Sequence, residues 1–206
     1  MRSFFRWVSE EGYCTSNPAR KLKEPKLPHN IPKAYNEEET EILREACVTK
    51  LEHALTEFFY STGCRISEVQ MLDKSDINWE NRSCIVRGKG NKQREVYFSL
   101  KAKIWLKWYL AERTDDDPSL FVTQRAPHRP TTDTIRRNIK IVGKKSKITK
   151  NVTPHKWRHT FATHMLNKGA PLEGVQDQLG HADLKTTRIY CQLSGVRRKM
   201  IHDTYF

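Results

Sequence analysis

TPHKWRHTFATHML, residues 153–166, is the stretch on which the reading of this chain turns. Pro154 can open a helix there, because the first turn has no use for the backbone donor that proline lacks. His155 and Arg158 are three apart and so share one helical face. Phe161, Met165 and Leu166 supply an apolar side. An imidazole and a guanidinium projecting together, beside the free amides of a helix N-terminus, suit a phosphate group. The bland alternative is a capped surface helix with incidental polar residues. His155, His159 and His164 also invite a metal, but H-E-x-x-H is missing and no cysteine lies close by, so no metal site is expected.

Two flanking stretches add candidates. In QLGHADLKTTRIYCQL (178–193), Leu179 closes a helix, Gly180 is its natural C-cap and His181 follows in the turn. Tyr190, nine residues later, falls near the end of the next short helix, where a tyrosine is by default a packing residue. Far upstream, in Gly63-Cys64-Arg65-Ile66-Ser67-Glu68, an arginine opens a helix directly after a glycine. Glu68, one turn on, can pair with Arg65 and hold its fork still.

Between these stretches the hydrophobic pattern predicts mostly helix with one small antiparallel sheet, an α+β fold. Residues 2–12 read as a short amphipathic helix with Phe4, Phe5 and Val8 on one side. Pro25, Pro28 and Pro32 among lysines mark an extended linker. Three domain spans follow: residues 1–22 as a helical appendage, 23–33 as linker and 34–206 as the main domain. Within the main domain, Asn36 and Glu39 form a capping pair opening a helix to Cys47. Further helices are expected at 50–62 (stopping at Gly63), from Arg65, at 100–112 (packing Ile104, Trp105 and Trp108), at 131–143, 154–168, 171–179, 183–190 and 195–204. SCIVR (83–87) and REVYFS (94–99) read as strands around the basic, glycine-rich hairpin GKGNKQ. LFVT (120–123) reads as a short strand or loop.

Composition narrows the partner. Of 206 residues, 37 are Lys or Arg and 24 are Asp or Glu, a formal charge of +13. A surplus of that size creates a positive field over part of the surface, and its usual partner is a phosphate backbone. Five scattered cysteines without C-x-x-C argue for a reducing compartment rather than a disulfide framework. With no signal peptide and no membrane-spanning stretch in the sequence, a cytoplasmic protein is expected.

Order and spacing join the candidates. G-x-R-x-S-E, a G-K-G-N-K hairpin, H-x-x-R-H-T-F-A-T-H and L-G-H-x-x-x-x-T-T-x-x-Y together resemble the tyrosine recombinase (phage integrase) family, near its Xer-type branch. The resemblance runs from about residue 33 to the end, and residues 1–22 resemble the last helix of that family's N-terminal core-binding domain. It implies the family's catalytic-domain fold and a catalytic set of Arg65, Lys89, His155, Arg158, His181 and the nucleophile Tyr190. Glu68 would orient the first arginine. Lys92 and Arg94 share the hairpin with Lys89, and only the G-K-G match favours Lys89 over Lys92. Many relatives read Tyr-Thr-His where this chain has Tyr190-Cys191-Gln192.

The implied activity is site-specific recombination of double-stranded DNA through a 3′-phosphotyrosine, with no metal, ATP or other cofactor. The implied assembly is a tetramer on DNA that exchanges a C-terminal helix (195–206, with Met200, Ile201 and Tyr205 on its apolar face) between subunits. Most of the family's N-terminal half is expected to be missing, leaving a partial clamp with weak DNA binding. Two other readings share parts of the pattern: a type IB topoisomerase-like enzyme that only reseals its own strand, and a catalytically inactive DNA-binding regulator.

Overall fold

The computed structural model describes residues 2–21, 34–88 and 93–180. The chain divides into two compact units, Met1–Ile31 and Pro32–Phe206. In the first, α1 (Arg2–Glu10) is followed by a 3₁₀ turn over Pro18–Lys21. Phe4 and Trp7 on α1 are largely exposed.

The second unit is mainly helical, with a three-stranded antiparallel sheet whose strands lie side by side in chain order. Its central element is α3 (Lys50–Thr62), which buries Leu51, Ala54, Leu55, Phe58 and Phe59. Around it pack α2 (Glu37–Glu45), α5 (Leu100–Glu112), α6 (Thr132–Lys145) and α7 (Pro154–Asn167). The short α4 (Ile66–Gln70) lies against α6 and the sheet. The strands are β1 (Ile77–Asn78), β2 (Ser83–Arg87) and β3 (Gln93–Tyr97), with Cys84 opposite Val96 and Val86 opposite Arg94. A second apolar cluster, Phe161, Ala162, Leu166, Val175 and Leu179, fastens α8 (Leu172–Leu179) to α7.

Local chemistry sets the helix ends. Asn36 caps α2 and Thr49 caps α3, each in a reciprocal capping box with the glutamate three residues on. Gly63 and Gly180 close α3 and α8 at φ +61° and +62°, the left-handed region where a side chain is strained. Cys14, Cys47, Cys64 and Cys84 are free thiols.

Two details differ from the sequence reading. The buried face of α5 is Ala102, Leu106 and Tyr109, while Ile104 and Trp108 point outward. That helix is apolar on nearly every side, so periodicity had no face to choose, and close approach to α3 selected the small Ala102. Trp105, as expected, packs half-buried against the core, with its ring stacked on His53 at a centroid separation of 3.7 Å. The two-residue β1 is too short to show alternation and was not anticipated. Of the two forms expected for 120–123, strand or loop, the segment takes the loop; Leu120, Phe121 and Val122 are buried, held by the Leu120 amide donating to the Leu72 carbonyl (2.9 Å) and the Val122 amide to the Tyr109 hydroxyl (3.0 Å). The expected helices at 183–190 and 195–204, and the whole of the linker 23–33, lie outside the described residues.

Candidate active site

α7 begins where its sequence says it should. The Thr153 side chain accepts from the Lys156 amide (3.2 Å), and Pro154 occupies the first turn. It is no surface helix, since Trp157 through Ala162 are all buried. The Thr160 hydroxyl accepts from the Tyr35 amide (3.0 Å), and His164 Nε2 meets the Tyr35 carbonyl (2.9 Å), tying α7 to the start of the unit.

This anchoring gives His155 and Arg158 different environments. His155, in the first turn, is exposed. Arg158 is 3% exposed. Its Nη1 donates to the Gly63 carbonyl (2.7 Å) and its Nη2 to the Leu179 carbonyl (2.6 Å). The guanidinium therefore bridges the ends of α3 and α8.

Arg65 arrives from the other side. It is the N-cap of α4, and Glu68 holds it twice: one carboxylate oxygen accepts the Arg65 amide (2.7 Å) and the other accepts Nη1 (2.9 Å). Arg65 also extends Nη1 toward the Leu179 carbonyl (3.4 Å) and Nη2 toward that of Gly180 (3.3 Å). The two arginines thus converge on the carbonyl of Leu179. Arg65 is the accessible one, with 41% of its side chain exposed.

A third guanidinium joins them. Arg94 on β3 forks onto both oxygens of Glu68 (2.7 and 2.8 Å) and donates from Nε to the Gln178 carbonyl (3.0 Å). Carbonyls 178, 179 and 180 carry the negative end of the α8 dipole, so the positive charges there are mutually favourable with it. Burial alone would push the Glu68 carboxyl up, but Arg94, the Arg65 amide and the Arg65 guanidinium more than reverse this and leave it below its usual range. Cys64, wholly enclosed beside this cluster, has its thiol pushed up to about 12 by burial and by the Glu68 charge, so it is inert at neutral pH.

Arg65, Glu68 and Arg158 are therefore brought together, and His155 stands one turn before Arg158 on the same helix. Lys89, His181 and Tyr190 lie outside the described residues, as does Lys92. The role of Arg94 on Glu68 was missed. The available signal was strand alternation: Arg94 is in step with the buried Val96 and Phe98, which puts a charge on an inward-facing position that must find a partner. Among the described residues no group of three or more His, Cys, Asp or Glu could hold a metal ion.

Comparison with known proteins is consistent in kind. Residues 29–195 match the model of the phage integrase family. Tyrosine recombinase XerC of Oceanobacillus iheyensis is 40% identical over 207 residues, covering 94% of this chain and 68% of the relative. The crystal structure of XerA recombinase superposes with a TM-score of 0.77 at 34% identity, covering 89% of this chain and 67% of the other. XerH site-specific recombinase bound to palindromic difH substrate, in a post-cleavage complex, matches with TM-score 0.77 at 25% identity, over 96% of this chain and 63% of that one. The chain spans about two thirds of the length of each.

Proposed function

The chain belongs to the phage integrase family as a Xer-like, tyrosine-type site-specific recombinase, and from that premise we propose that Tyr190 is the nucleophile that cuts and rejoins its DNA. The observation that carries this reading is the meeting of Arg65 and Arg158, from motifs far apart in sequence, on the Leu179 carbonyl. Leu179 lies two residues before His181, at the head of the stretch that leads to Tyr190.

A phosphodiester repels nucleophiles, and its transition state carries more negative charge than its ground state. Forked guanidinium donors on the non-bridging oxygens relieve both difficulties. Arg65, open to solvent, reaches the phosphate, while Arg158 braces the helix ends behind it. The Tyr190 oxygen forms a bond to phosphorus and the bond to the 5′-oxygen breaks. The phenol, with an ordinary pKa near 10, passes its proton to His155, and positive surroundings favour the phenolate. His181 donates a hydrogen bond to a phosphoryl oxygen. Lys89, on the hairpin, gives the departing 5′-oxygen its proton. The 3′-phosphotyrosine conserves the bond energy, so attack by a 5′-hydroxyl of a second duplex completes exchange without ATP. The working unit in this reading is a tetramer on two DNA sites, with helix 195–206 of each subunit docked on its neighbour, acting at the nucleoid.

The test is covalent capture. The chain is incubated with a library of nicked suicide duplexes carrying randomised arms, and adducts are resolved under denaturing conditions and sequenced. Wild type should form an adduct, and Tyr190→Phe should form none while binding the recovered duplex within about two-fold of wild type. An adduct that survives Tyr190→Phe transfers the role to Tyr205 or another residue and overturns the assignment. No adduct with wild type overturns the reading as a whole.

A further inference from the structure

We propose that Arg94 is a positioning residue for the recombination chemistry: by taking the bidentate place on Glu68 and gripping the end of α8, it keeps the donors of Arg65 turned outward toward the phosphate. This rests on the phosphate-holding role given to Arg65 above.

Glu68 has two carboxylate oxygens and 1% of its side chain exposed. Arg94 occupies both oxygens through two parallel bonds of 2.7 and 2.8 Å. That is the strongest geometry available to a carboxylate and a guanidinium. Arg65 is left with a single side-chain bond to Glu68, from Nη1 at 2.9 Å. Its other contacts, to the carbonyls of Leu179 and Gly180, are long at 3.4 and 3.3 Å. Contacts of that length exchange readily for a phosphate oxygen. Remove Arg94, and a buried carboxylate faces Arg65 alone. The fork of Arg65 then closes onto Glu68, since an unmatched buried charge costs more than the long carbonyl contacts return.

The second grip of Arg94 separates it from an ordinary ion pair. Its Nε donates to the Gln178 carbonyl at 3.0 Å, one residue before the carbonyl shared by Arg65 and Arg158. The approach is tight: a Cβ on Gly180 would lie 2.9 Å from Arg94 Cδ and 3.0 Å from its Nε. Glycine at 180 therefore serves the left-handed cap and also makes room for Arg94. Arg94 stands on the strand that leaves the hairpin bearing Lys89, and Gly180 immediately precedes His181. One side chain thus links the hairpin strand, Glu68, Arg65 and the exit of α8.

The experiment measures single-turnover adduct formation at saturating concentrations of the duplex recovered in the capture experiment, together with duplex affinity and thermal unfolding. Arg94→Lys is the deciding variant. It keeps a positive charge on Glu68, and so most of the stability, but offers no fork, leaving one carboxylate oxygen for Arg65 to close upon. The expected result is a rate at least about 30-fold below wild type, with unfolding temperature and duplex affinity close to wild type. Arg94→Gln should show at least the same loss of rate, with some loss of stability. A Lys variant with a wild-type rate would make Arg94 a structural strut and overturn the inference while leaving the assignment of Tyr190 intact. A parallel loss of rate and duplex affinity in the Lys variant would also overturn it. Absence of adduct with wild type would instead remove the functional reading and this inference together.

Discussion

A carboxylate as enclosed as Glu68 is ordinarily forced toward its neutral form by desolvation. Here burial is the largest single influence, yet the bonds and charge of Arg94 and Arg65 outweigh it, and the group stays below its usual value of 4.5. The consequence is a pH dependence of stability. As pH falls below 4.5, residue 68 in the unfolded chain takes up a proton that the folded chain still refuses, and the unfolded state gains. The stabilisation is complete above that pH and is lost as pH drops toward the depressed folded value. Urea unfolding of wild type should therefore weaken with acidification in this window, and Glu68→Gln should flatten that part of the slope. At neutral pH the same variant should cost about 3–5 kcal/mol, because the guanidiniums lose their charged partner. Equal acid slopes in both proteins would show that Glu68 keeps no charge advantage on folding.

At the scale of elements, the junction between α3 and α4 has the narrowest tolerance. Gly63 closes α3 at φ +61°, and a Cβ there would stand 2.4 Å from the ring of Phe161 on α7. Its carbonyl also receives Arg158. Gly63→Ala combines left-handed strain with a ring that must move within a packed cluster, and should destabilise by about 2–4 kcal/mol in denaturant unfolding. It should slow adduct formation as well, since the carbonyl holding Arg158 shifts with the backbone. A change below about 0.5 kcal/mol would mean that the ring relaxes freely. Capping residues, glycine stops and proline starts made most helix ends legible, because those signals act within one turn. The inward face of α5 was not legible, because a helix apolar on most sides takes its orientation from its neighbours.

For the whole molecule, the charge of +13 is the controlling quantity. Binding to duplex DNA should release counterions, so the logarithm of affinity should fall linearly with the logarithm of salt. A slope of about −5 or steeper is expected between about 50 and 200 mM salt, read by fluorescence anisotropy. A nearly flat response would mean that the surplus charge lies away from the bound phosphates. Among the described residues no helix is long and apolar enough to cross a membrane.

Much was decided by sequence alone. The helical character, the hairpin strands, the start of α2, the ends of α3, α7 and α8, and the positions of Arg65, Glu68, His155 and Arg158 on their helices follow from short-range rules and from motifs in order. Tertiary structure alone decided that Arg158 is buried while His155 is exposed, that two arginines meet on one carbonyl, and that Arg94 rather than Arg65 holds the fork of Glu68. The physical reason is range. Caps and turns are local hydrogen-bonding problems that a few residues solve among themselves, whereas a guanidinium finds its carboxylate only after sheet register and helix packing have carried distant segments together.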